Sequence, residues 1–258
     1  MKITQRKYAS SIEVGVRFDT NSCGTCVVTK YVDGRTVHVM FEDTGFRTVV
    51  HGSNLLAGKV SDPYARTVKG VGYLGEGKFP AKTTPEGKFN YHLWAGMLER
   101  STCPKFKAKH PSYANVTLTA EWECFQTFCR DITSLVGYGN TDDSGDRWHL
   151  DKDLLIPGND IYGKSQCCFL PREINLIIRS APGGRELPIG VVKHAKNGNY
   201  NARLGPTHLG CFDTPEEAFG AYAEAKEQEF KRLARKYKTT LSPKAFRALL
   251  NRKVTTAG

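Results

Sequence analysis

Between Trp148 and Asn175 the chain reads WHLDKDLLIPGNDIYGKSQCCFLPREIN, and this stretch limits the fold more than any other. Arg147–Leu155 has the character of a strand, Pro157-Gly158-Asn159 that of a turn, and Cys167–Leu170 that of a returning strand. Pro171 then suits the opening of a helix, where its missing N–H needs no partner. Alternation along the first strand puts His149, Asp151 and Asp153 on one face, with Asn175 delivered from the helix. A compact unit of this kind can hold one divalent metal.

The charge pattern narrows the partner. The 258 residues carry 37 Lys+Arg against 26 Asp+Glu, a net charge of +11, and a surface of that sign attracts polyanions such as nucleic acid. The excess is unevenly placed: +8 over residues 1–120, −4 over 121–188 and +7 over 189–258. Two basic segments around an acidic middle suit phosphate-gripping modules flanking a carboxylate site. A hydrophobic content of 40% is enough for real cores. No apolar run approaches the roughly 18 residues that span a bilayer, so the expected setting is cytoplasmic, without membrane contact. Eight cysteines include one CxxC, Cys23 and Cys26, and the adjacent Cys167 and Cys168. That spacing suggests reduced thiols rather than a disulfide framework or a structural zinc.

The fold class expected is α+β, in four segments. Residues 1–62 contain VGVRFDT, CVVTKYV, TVHVMFED and FRTVV, separated by turns at Asp33-Gly34 and Thr44-Gly45. They predict a small antiparallel β-barrel, similar in pattern to a Src-homology-like barrel, and a possible docking surface for a host protein. Residues 63–90 form a Gly- and Lys-rich connector whose GVGYLGEG only superficially fits a dinucleotide loop, since no helix is expected after it. Residues 91–185 hold the acidic motif and two supporting helices. The first places Leu93, Trp94, Met97 and Leu98 on one side, and the second repeats Trp122, Phe125, Phe128, Cys129 and Ile132. Between them CPKFKAKHPSY predicts a Lys-rich loop.

Residues 186–258 predict three strands and a long helix, with Asp213 or Thr214 as N-cap and Pro215 in the first turn. The pattern GV..H..NG.Y.A.L...HLG.FDTPEEA..AY resembles the Apetala/ethylene-response-factor type of DNA-binding domain. That resemblance implies a sheet inserted in the major groove, with Lys193, His194, Lys196, Tyr200, Arg203 and His208 toward double-stranded DNA. It also implies that Ala218, Phe219, Ala221 and Tyr222 face the sheet as core.

The LDKD…GN.IYG...C.F.P.EIN pattern, together with the Tyr91–Arg100 and Glu121–Phe128 helices, resembles the HNH endonucleases with a ββα-metal fold, in particular phage-encoded homing-type members. Such a resemblance implies phosphodiester hydrolysis with Mg²⁺ or Mn²⁺, nicking of duplex DNA, and a setting in the host cytoplasm. Asp151 and Asn175 match the metal ligands, with Asp153 as a supporting carboxylate. Lys152 stands where the family has its base histidine, and Gln166 where a structural Asn is usual. His149 is the remaining imidazole able to act as general base. Lys152 and Arg172 are then candidate DNA contacts. The alternative is a DNA-binding or regulatory protein that keeps the scaffold without catalysis.

Overall fold

The computed structural model describes residues 12–179, 186–194 and 198–256. The chain forms two compact units. One takes in the chain up to Lys109 together with Leu118–Arg130, and the other His110–Thr117 together with the chain from Asp131 onward.

In the first unit, four strands alternate apolar and polar residues: β1 (Arg17–Asp19), β2 (Thr25–Asp33), β3 (Thr36–Phe41) and β4 (Arg47–Val50). They pair in sequence order as an antiparallel meander. Phe18, Cys26, Val28, Val37, Val39 and Phe41 point to one face, where α1 (Gly52–Leu56) adds Leu55. The expected barrel is instead an open sheet with β1 and β4 as its edges. Closure needs tilted, staggered strands paired on both sides, and edge strands of three and four residues offer too short a ladder.

The glycine-rich segment is not a free connector. Tyr73 donates its N–H to the Glu123 carbonyl (3.0 Å) and accepts from the Phe125 N–H (2.9 Å). Phe79 and Gln126 exchange two bonds: the Phe79 N–H to Gln126 Oε1 (3.0 Å) and Gln126 Nε2 to the Phe79 carbonyl (2.9 Å). A Cβ on Gly72 would lie 2.4 Å from Leu98 Cδ1, so glycine there permits close packing rather than flexibility. Its end is helical: α2 runs Pro85–Thr102, six residues ahead of the expected Tyr91 start, because Thr84 caps the Gly87 N–H and Pro85 and Glu86 fill the first turn. The Lys-rich loop is likewise a short helix, α3 (Pro104–Lys109).

After β5 (Thr117–Leu118) comes a 3₁₀ turn at Ala120–Glu123 and then α4 (Phe125–Ile132). Trp94, Met97, Leu98, Trp122, Phe125 and Phe128 are fully buried. Trp94 Nε1 donates to the Trp122 carbonyl (2.8 Å), and Trp122 meets Phe128 edge-on at 5.1 Å.

The second unit contains β6 (His149–Asp151), β7 (Ile161–Tyr162), β8 (Cys168–Leu170) and α5 (Arg172–Ile177). β6 and β8 pair antiparallel, with His149 opposite Leu170 and Asp151 opposite Cys168. Then come β9 (Val191–Lys193), β10 (Tyr200–Leu204) and β11 (Thr207–Phe212), in the order β11-β10-β9. Helices α6 (Pro215–Lys236) and α7 (Pro243–Leu250) complete it. Thr214 and Glu217 form a reciprocal capping box at the start of α6. Ala218 sits against Val191 and Ala202, with Phe219 and Ala221 packed around them and Tyr222 buried nearby. No helix among the described residues is long and apolar enough to cross a membrane.

Gly72→Ala should lower stability by about 1–3 kcal/mol in urea unfolding, as expected for overpacking a close contact. An unchanged midpoint would mean that the glycine-rich segment is not docked on α2.

Candidate functional site

The site is set by a turn. Asp151 ends β6, and its Oδ2 accepts the N–H groups of Asp153 (2.9 Å) and Leu154 (2.8 Å). That local capping breaks the strand, so alternation does not extend to Asp153. Asp153, expected beside Asp151 as a metal ligand, instead takes an ion pair from Lys152 Nζ at 2.5 Å. Lys152 is itself buried. Its ammonium also donates to the Asn159 carbonyl (3.1 Å), and Asn159 Nδ2 returns a bond to the Lys152 carbonyl (2.8 Å). The expected DNA contact at Lys152 is therefore a clamp inside the β6–β7 loop.

His149 remains on the exposed side of β6. Its Nδ1 lies 3.3 Å from Asn175 Nδ2, on the second turn of α5. Two side chains 26 positions apart are thus brought together by the strand–strand–helix arrangement. Asn175 turns its amide nitrogen to the imidazole, which leaves its carbonyl oxygen as the donor available to a cation.

Asp151 is 5% exposed. Burial, and then the charge of Asp153, push its carboxyl up from an ordinary value near 3.8 to about 6, against the two N–H bonds and Lys152. Among the described residues the single fully buried side-chain nitrogen or oxygen without a partner is Trp148 Nε1, so the second oxygen of Asp151 is not a sealed acceptor. Burial also pushes the thiol of Cys167 up, to about 12, and that of Cys168 well above its usual range, which keeps both neutral. No group of three or more His, Cys, Asp or Glu suited to a metal occurs among the described residues. The side chains expected to serve a divalent ion here are the Asp151 carboxylate and the Asn175 amide oxygen, with the His149 imidazole as the expected base. Oxygen donors of this kind fit a hard cation.

Two features near the site have no local signal in the sequence. Arg252, beyond α7, donates to the carbonyls of Asp153 (3.4 Å) and Ile178 (3.2 Å), bringing a guanidinium to the acidic turn. Glu173 on α5 accepts from Lys236 Nζ (2.6 Å) and from the Tyr237 hydroxyl, both at the end of α6.

On the C-terminal sheet, Arg203 and His208 are exposed on the outer face, Lys193 is exposed and His194 half-buried. Arg172 is exposed in the first turn of α5. Lys196 lies outside the described residues. Tyr200 is a correction: it shares the inward side with Phe212, which it faces in the β10–β11 ladder, and packs on the Val191–Ala202–Ala218 core rather than toward a duplex. Asn201 and Cys211, neither expected, lie beside His208. Asn201 is readable as an alternation partner of Arg203 about the buried Ala202. Cys211 is hidden by a bulge in β11.

Comparison with protein-family models, with curated proteins and with solved structures gave no match.

The fold raises the Asp151 carboxyl above its unfolded value, so the contribution of this group to stability is greatest below about pH 4, is lost as pH rises through about 6, and is constant above that. Asp151→Asn keeps an acceptor for the two N–H groups and removes the buried charge. At pH 8 it should be more stable than the wild type by about 1–3 kcal/mol, with the gap closing near pH 4. Denaturant unfolding at both pH values checks this, and a wild type equal or superior at pH 8 would contradict it.

Proposed function

We propose that this chain binds duplex DNA and hydrolyses a phosphodiester bond with a divalent metal, nicking one strand. The observation that carries this is the His149–Asn175 pair, held at 3.3 Å on a strand–strand–helix frame whose first strand ends in Asp151. Basic flanking segments and the exposed Arg203 and His208 support DNA as the polymer.

In this account the neutral imidazole of His149 takes the proton of the attacking water on Nδ1, the nitrogen that accepts from the Asn175 amide at rest, once the water displaces that amide. Asp151 and Asn175 supply the oxygens that would hold a Mg²⁺ or Mn²⁺ ion. Such an ion, when bound, neutralises charge at the phosphate and the departing oxygen. Ionised Asp151 is the form required, and burial makes that form costly until a cation offsets it. The exposure of Arg172 where α5 begins supports a contact with the backbone.

A second function is favoured by a specific observation. Lys152, at the family's base position, is sealed into an ion pair, and one Asp151 oxygen is committed to the turn. A protein that binds DNA without cutting it would keep both features.

Supercoiled plasmid with Mg²⁺ or Mn²⁺ separates the two. Conversion to open circle is expected, with a loss of about 10²-fold or more in His149→Ala and a comparable loss in Asp151→Ala. Intact DNA binding with no cutting under either metal would leave the non-catalytic function standing.

A further inference from the structure

The outer face of the C-terminal sheet brings three ligand-type side chains to one point. Cys211 Sγ donates to Asn201 Oδ1 at 2.8 Å, His208 Nε2 lies 3.3 Å from the same oxygen, and Sγ and Nε2 are 3.7 Å apart.

A regular strand would not permit this. Residues three apart in a strand point to opposite faces, so His208 and Cys211 should be separated by the sheet. The β10–β11 register shifts between Ala202 and Arg203: Ala202 faces Gly210, whereas Arg203 faces His208. Leu209 is thereby left as an extra residue, and it packs inward on the Val191–Ala202–Ala218 core together with Phe212. Gly210 takes φ +144°, a conformation that side chains rarely adopt. The bulge resets the alternation, so His208 and Cys211 both emerge on the outer face, where Asn201 stands directly opposite Cys211.

We propose that Cys211, His208 and Asn201 form a binding site for a thiophilic divalent cation of the zinc type, with water completing the shell. Tetrahedral zinc with sulfur at about 2.3 Å and nitrogen or oxygen at about 2.0–2.2 Å separates its donors by roughly 3.4–3.6 Å. The Sγ–Nε2 and Nε2–Oδ1 spacings are close to that, and replacing the thiol proton by a cation opens the shorter Sγ–Oδ1 contact. A thiolate and an imidazole select zinc, cobalt or copper over magnesium, so this site differs in chemistry from the oxygen-rich one at Asp151. Access is open. Cys211 is exposed, whereas Cys26, Cys129, Cys167 and Cys168 are buried and Cys23, Cys103 and Cys124 are half-buried. A cation here would add charge beside Arg203 and fix the orientation of His208.

The test is titration of the full, reduced chain with Co²⁺, read by the thiolate-to-cobalt charge-transfer band and by competition with Zn²⁺. One equivalent should bind with the band present, Mg²⁺ should not displace it, and Cys211→Ser should abolish it. His208→Ala should weaken binding by at least about tenfold, since loss of even an outer partner of a metal ligand costs that much. These residues are on the surface, so the variants keep the fold, and Cys23→Ser should leave the band intact. No cobalt–thiolate band in the wild type, a band unchanged in Cys211→Ser, or full affinity in His208→Ala overturns the proposal. Cobalt binding and plasmid nicking can fail separately, because the site does not depend on the Asp151 chemistry.

Discussion

The turn after β6 rests on one buried side-chain acceptor, Asp151. Asp151 places an oxygen where two successive backbone N–H groups need an acceptor, and that bond pair stops β6 after three residues. The local arrangement is a consequence. The strand stays short enough for His149 to remain at its exposed end, the chain folds back so that Lys152 points inward, and Lys152 and Asn159 lock the loop. The protein then tolerates a carboxyl pushed up to about 6 by burial and a neighbouring aspartate. A residue that costs stability when ionised is more readily explained by chemistry than by folding, because an amide would cap the same turn.

A second interaction ties this turn to the sheet module. Burial opposes charge on Glu173, but the bonds from Lys236 and Tyr237 outweigh it and hold the carboxyl below its usual range. The helix that carries Asn175 is thus fastened to the end of the helix that supports the three-stranded sheet. Arg252 adds a further link, from beyond α7 to the carbonyl of Asp153. In the proposed function, a duplex gripped by the sheet would be registered against His149 through these contacts, each modest because each is partly exposed to solvent.

Local patterns make much of this legible. The alternating strands, the Thr214–Pro215 start of α6, the aromatic spacing of Trp94, Trp122, Phe125 and Phe128, and the strand–turn–strand–helix order all rest on neighbours in sequence. The features that stay hidden depend on tertiary contact. Glycines 72, 75 and 77 look like a linker until Leu98 and Gln126 are seen against them. Strand alternation puts Asp153 with Asp151, and only the side-chain cap on the turn moves it away. The bulge at Leu209–Gly210 changes the face of Cys211, and Tyr200 reads as a DNA contact through the resemblance, although alternation in β10 puts it on the side of Ala202. The open sheet reads as a barrel because turn signals give the strands but not whether the outer two meet.

The central claim is that His149 moves a proton at a phosphodiester. Single-turnover cleavage of a duplex by His149→Gly, with and without added imidazole, tests it most directly, because a small base can replace the missing ring without restoring any packing. The account predicts slow cleavage that rises with imidazole concentration and saturates, while the wild type is unaffected. Cleavage by His149→Gly at the wild-type rate, or a slow rate that imidazole does not raise, would contradict it.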